Sequence, residues 1–167
     1  MSSHIAVPLT ALSTAIDRLS ENAVGWGSQR MIDEGLDIVR DYCWAGSCAL
    51  YDARSGDIRL IGHRPALENP SLGPMPPSWF PWGLAPMNPR RFVFIEDAGL
   101  LSGTPDGTVK LADLGVQSCV HLPLMERDRP LGFLQVFWHE TRLVWDDEMG
   151  RVLRTLGRLL IESADRG

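Results

Sequence analysis

The chain has 167 residues, 44% of them hydrophobic and 22% charged, which suffices for one domain with a substantial core. Its net charge of -5 supplies no electrostatic attraction for nucleic acid or an anionic membrane, and no run reaches the roughly 20 apolar residues that a membrane span needs. Three cysteines without a CxxC pair argue against a disulfide framework and for a reducing, cytoplasmic setting, and the opening residues do not have the pattern of a signal peptide.

From the start of the chain, Pro8 suits a first helical turn, and Leu9, Leu12, Ile16, Leu19 and Ala23 recur at helical spacing. The glycines before Ser28 end that helix. Ser28 is placed to cap a second one, with Ile32, Leu36, Val39 and Cys43 as its apolar stripe. Gly35 inside it costs about 1 kcal/mol relative to alanine, unless another part of the fold passes close there. Gly46 is expected to stop this helix. Ser47–Asp52 and Asp57–Gly62 then read as two strands around the turn Ala53–Gly56.

Between His63 and Pro89 lie eight prolines, with Met75, Trp79, Phe80, Trp82 and Met87 among them. So many prolines exclude a regular helix or an inner strand, while the aromatic content is too high for a solvated linker. The expectation is a cover folded down over one sheet face. Arg91–Ile95 reads as a strand, Ala98–Asp106 as a loop, and Thr108–Leu114 as a short helix ended by Gly115.

A hairpin follows. Val116–Leu124 and Pro130–Trp138 are apolar runs flanking the charged turn Glu126–Arg129. Both runs are apolar on both faces, so both faces need a cover. Asp146 then caps a last helix, with Asp147 and Glu148 in its first turn and Met149, Val152, Leu153, Leu156 and Leu160 as its stripe.

Several of these segments resemble the GAF domain. Phe92–Ile95 followed by Glu96-Asp97 is similar to that family's hydrophobic strand and acidic turn. Leu114-Gly115-Val116-Gln117-Ser118 with Leu122-Pro123-Leu124 is similar to its "LG[IV]xS…[VL]PL" segment. Leu131-Gly132-Phe133-Leu134 resembles the hairpin return, and Trp145–Glu148 the entry to the last helix. The likeness covers about half the chain, Phe92–Ala164; the first half matches in element order.

The resemblance implies an α+β, GAF-like (PAS-related) fold over a single domain, 1–167. Its central antiparallel sheet would have five to six strands, with the N- and C-terminal helices on one face and the long loop covering the other. Residues 1–27 would supply a helix that extends the dimer contact. It further implies a small-molecule-binding sensory or regulatory role, a homodimer joined through the terminal helices, and a signalling or transcription partner protein. The small molecule is not identified, no cofactor is named, and neither nucleic acid nor membrane is expected as a partner.

The candidate ligand-binding residues are Trp79, Phe80, Trp82, Arg90, Cys119, His121, Leu134, Val136 and Trp138. Cys119 and His121 alternate on one strand and so share a face. With a two-residue turn at Arg127-Asp128, Cys119 faces Val136 and His121 faces Leu134, with Trp138 beside them; a one-residue bulge would reverse the assignment. Thiolate and imidazole can bind a transition metal or haem iron, but only two ligands are identifiable, and a structural site normally takes four. The alternative is a buried cysteine and a hydrogen-bonded histidine. Trp79, Phe80 and Trp82 can stack on a planar ligand or simply keep the sheet dry. Arg90 can pair with a phosphate or carboxylate, or be solvated charge at a strand edge.

Bilin-binding GAF domains attach their pigment through a cysteine before the "LGV" segment. The corresponding stretch here, Leu101–Lys110, has none, so covalent attachment is not expected. Two alternatives to the binding module remain open: a thiol enzyme like the free methionine sulfoxide reductases, and a ligand-free dimerisation module. No catalytic residue and no metal site is assigned, and the chain is not expected to be an enzyme. Reactive cysteines in those reductases lie in the long connection and in the loop before the fourth strand, whereas here no cysteine lies between Cys48 and Cys119.

Overall fold

In the computed structural model the residues described are 9–66, 93–95, 117–140 and 145–165. The elements are α1 (Leu9–Glu21), α2 (Ser28–Cys43), β1 (Ser47–Asp52), β2 (Arg59–Arg64), β3 (Val93–Ile95), β4 (Ser118–Glu126), β5 (Arg129–Trp138) and α3 (Asp147–Ala164). The strands form one antiparallel sheet in the order β2-β1-β5-β4-β3. The short helix expected at Thr108–Leu114 and the cover expected at 63–90 lie outside the described residues, apart from His63–Ala66 at the cover's start.

The three described helices lie on one side of the sheet, α2 and α3 directly against it and α1 against those two helices. Leu12 and Leu19 of α1, the α2 stripe from Met31 to Cys43, and Leu153, Leu156, Leu160 and Ile161 of α3 share one core with Cys48, Leu50, Val120, Leu122, Leu134 and Val136. The 3.6-residue period of each helix creates this stripe, and its burial rather than intrinsic propensity holds the helices in place. Gly35 lets α2 and α3 approach closely: a Cβ there would lie 2.5 Å from the Leu160 side chain. The helix therefore carries a poor helix former because the neighbouring helix needs the space.

The helix ends differ from the expectation in two places. Ser28 is the first residue of α2 rather than its cap; Gly27 occupies the cap position and makes no side-chain hydrogen bond. At the other end Trp44, not Gly46, adopts the left-handed conformation with φ 55°. The amides of Trp44 and Ala45 close the helix on Asp41 O and Arg40 O, while Gly46 N already donates to Phe137 O in the sheet. Gly46 cannot end the helix because the sheet has claimed its amide. α3 begins as expected, with the Asp146 carboxylate accepting from Glu148 N at 2.9 Å.

One ion-pair group joins the β1–β2 turn to the end of α3. Arg54 donates to Asp52 at 2.8 Å and to Asp165 at 2.5 Å. Partial burial pushes the Asp52 carboxyl up, but the hydrogen bonds and charge of Arg54 outweigh it and hold the carboxyl below its ordinary value. A carboxyl depressed in the folded state contributes stability above its unfolded pKa of about 3.9, and that stability is lost as pH falls through the lower folded value. Arg54→Ala should therefore cost about 1–2 kcal/mol near neutral pH, and the difference from the unmodified protein should shrink as pH falls below about 4. Urea unfolding at several pH values measures this; a penalty that does not vary with pH would refute it. Asp165 is 62% exposed, so its share is small.

Candidate functional site

Alternation along the three central strands divides their side chains between two faces. One set, including Cys48, Leu50, Val120, Leu122, Leu124, Leu134, Val136 and Trp138, enters the helix-side core. The other set forms three rows across β1, β5 and β4: Tyr51–Phe133–Pro123, Ala49–Gln135–His121, and Ser47–Phe137–Cys119. All nine residues are buried, although no described helix packs on this face. The sequence argument that both faces of the hairpin need a cover is met in this burial.

The rows make a continuous aromatic surface with a polar pair at its middle. Phe133 is fully buried, with its ring stacked on Tyr51 at 4.6 Å between centroids and tilted against His121 at 4.5 Å. The Gln135 side-chain amide and His121 Nδ1 are hydrogen-bonded at 3.3 Å. Burial raises the Tyr51 hydroxyl well above the ordinary phenol range, with the Cys119 thiol adding to the shift, so it stays protonated. Burial likewise pushes the Cys119 thiol up to about 12. At neutral pH the Tyr51 hydroxyl and the Cys119 thiol are therefore neutral donors set among ring surfaces, an arrangement suited to an apolar planar molecule with a few hydrogen-bonding groups.

The hairpin register corrects the expected site. Cys119 lies across from Phe137 and His121 across from Gln135, not from Val136 and Leu134. The cause is the extra residue Leu131: Leu124 pairs with Gly132, but Met125 pairs with Pro130. One added residue in β5 turns every later side chain to the other face. Leu134, Val136 and Trp138 therefore belong to the helix-side core and not to the site. Trp138 is held there by its indole N–H, which donates to Cys43 O at 2.9 Å, and by an edge contact with Trp145.

Cys119 and His121 do share a face, as the alternation predicted. The residues that the sequence reading missed are Tyr51, Phe133 and Gln135. Their signal is the period-2 sequence Phe133, Gln135, Phe137 on β5, which points to this face once the bulge is placed. Trp79, Phe80, Trp82 and Arg90 lie outside the described residues.

For metal or thiol chemistry the arrangement offers little. Among the described residues no three His, Cys, Asp or Glu side chains come together in a metal-binding group. The three cysteines are all buried. Cys48 is pushed up to about 12, by burial first and by Cys43 next, and donates to Leu36 O at 3.2 Å. It faces the helices, whereas Cys119 faces the other side with β5 between them. Two inter-strand spacings put the pair roughly 10 Å apart, beyond the roughly 7 Å that a disulfide spans.

No sequence-family profile matches the chain, and no curated protein matches it by sequence. Solved structures do match. The GAF domain of a phosphoenolpyruvate-protein phosphotransferase from Coxiella burnetii superposes with a TM-score of 0.74 at 11% identity, over 96% of both chains. The corresponding domain from Acinetobacter gives 0.71 at 16% identity, over 99% of this chain and 95% of that one. The phycocyanobilin-bound GAF domain of a cyanobacterial phytochrome gives 0.68 at 16%, over 92% and 94%. The α+β architecture with its open antiparallel sheet is thus the GAF fold. Among the described residues no helix is long and apolar enough to cross a membrane.

Proposed function

We propose that this chain is a sensory or regulatory GAF domain that holds a small molecule without catalysis. The molecule is planar and mostly apolar, and it lies against the sheet face formed by Tyr51, His121, Phe133 and Gln135. The observation that carries this reading is the ring surface with one hydrogen-bonded polar pair at its centre, on the side of the sheet away from the helices. One GAF domain of the same fold, from a cyanobacterial phytochrome, is bound to phycocyanobilin. Here Leu101–Lys110 contains no cysteine, so the ligand would be held non-covalently.

Signalling follows from the construction of the central strands. Each carries ligand-facing and helix-facing residues in alternation, so a shift of Phe133 moves Leu134 against the helices. A ligand that prefers one arrangement moves the packing of α1 and α3 in a homodimer by that difference in affinity and no more. The output passes to a signalling or transcription partner. Support for a non-catalytic role comes from the thiols: all three are buried, and Cys48 and Cys119 are held protonated on opposite faces.

Native mass spectrometry with an absorption spectrum tests the proposal on purified protein. A dimer that carries a small molecule, with the adduct lost in Gln135→Leu, is the expected result. A colourless, ligand-free monomer would refute it. Iodoacetamide at pH 8 should leave all three cysteines unmodified in the folded protein; rapid modification would favour the thiol-enzyme reading instead.

A further inference from the structure

A second recognition surface lies between α3 and the end of the β4–β5 hairpin. The groove there has a volume of about 500 Å³, and Pro123 and Met125 give it an apolar wall. Four arginines line it, Arg127 from the hairpin turn and Arg151, Arg154 and Arg158 from α3, and no carboxylate among the described residues does. In a chain of net charge -5 this is a local reversal of sign. The three helix arginines stand at i, i+3 and i+7, hence on one face. Among the described residues Arg127, Arg151 and Arg158 form no ion pair.

The three helix arginines bring like charges together. Arg154 is half-buried, and its pKa is lowered by desolvation and then by the repulsion of Arg151 and Arg158, against which Asp147 supplies only a lesser attraction. Arginine does not escape such repulsion by losing its proton. An anion in the groove would relieve it. The spacing selects among anions: Arg151 and Arg158 are seven residues apart, about 10 Å along the helix axis. A single phosphate engages one neighbouring pair, whereas linked phosphoryl groups span the row. Thr155 assists by accepting from Arg158 Nη2 at 3.4 Å, which steadies that guanidinium on the groove side.

We propose that this groove binds a small soluble molecule carrying two or more adjacent phosphoryl groups, through bidentate contacts from the arginines. The groove borders the aromatic sheet face at Pro123, but its arginines take no part in that face, and the proposal stands or falls independently of the function proposed there.

Titration calorimetry of the full chain at low ionic strength tests it, with tripolyphosphate, orthophosphate and citrate as probes. Tripolyphosphate should bind one to one, at least tenfold more tightly than orthophosphate or citrate. The double variant R154Q/R158Q should weaken tripolyphosphate binding at least tenfold. Arg18→Gln, an exposed arginine on α1, should leave it unchanged, and the circular dichroism spectra of both variants should match that of the parent. Equal affinity for citrate would overturn the proposal, as would equal weakening by Arg18→Gln. Sedimentation with phosphatidylglycerol vesicles that is lost in the double variant, without any tripolyphosphate binding, would assign the groove to a lipid surface and overturn it too.

Discussion

Replacing Gly132 with alanine should cost at least about 3 kcal/mol of folding stability. Gly132 lies on β5 opposite Asp52, immediately after the bulge at Leu131, and a Cβ there would collide with the backbone carbonyl of Tyr51. A flexible side chain could step aside, but this carbonyl is fixed in the β1–β5 ladder, so the two central strands themselves must separate. The neighbouring bond from Ala53 N to Leu131 O, 2.9 Å long, would be disturbed with them. Gly27→Ala is the matched control, since nothing lies within 4 Å of a Cβ there; it should change stability by no more than about 0.5 kcal/mol. Urea midpoints for the two variants decide the matter. A Gly132→Ala protein as stable as the control would show that the strands do not approach as closely as described.

The second large effect concerns the ring at the centre of the candidate site. Phe133→Ala should lose about 3–5 kcal/mol, the usual range for emptying a fully buried aromatic position. Part of that loss is specific to its partners. Tyr51 and His121 both contact the ring, and a double-mutant cycle with Tyr51→Leu should return a coupling of about 0.5–1.5 kcal/mol. Phe133→Leu keeps most of the volume and should cost less than about 1.5 kcal/mol. That milder variant separates packing from recognition. It should fold yet lose the small-molecule adduct in native mass spectrometry, because a leucine offers no ring face for stacking. A Phe133→Leu protein that keeps the adduct unchanged would place the ligand elsewhere.

Both predictions turn on Leu131. Gly132 follows that bulge directly, and without it Cys119 and His121 would share a face with Leu134 and Val136. The bulge makes the hairpin's helix-side core from one set of residues and the candidate site from the other. A thiol buried across from Phe137 packs as a small apolar group with a weak donor, and that burial is why Cys119 resists ionisation.

Residue patterns alone carried the layout of this protein. The stripes Leu12–Leu19, Ile32–Cys43 and Leu153–Leu160 are local and periodic, so each marks a helix and its buried face without reference to anything else. The same is true of the cap at Asp146 and of the two apolar runs of the hairpin, whose double-sided hydrophobicity already required a covered sheet. What these patterns could not settle was which of two faces each hairpin residue occupies. A single inserted residue changes that assignment without changing composition or periodicity, because both strands are apolar on both sides. Register is decided by the packing of β5 against β1 and β4 together, with Gly132 admitting the close backbone and Leu131 drawn into the helix-side core. The arginine groove is likewise a tertiary fact: Arg127 stands 24 positions from Arg151 in the chain, and only the seating of α3 beside the hairpin brings their charges to one place.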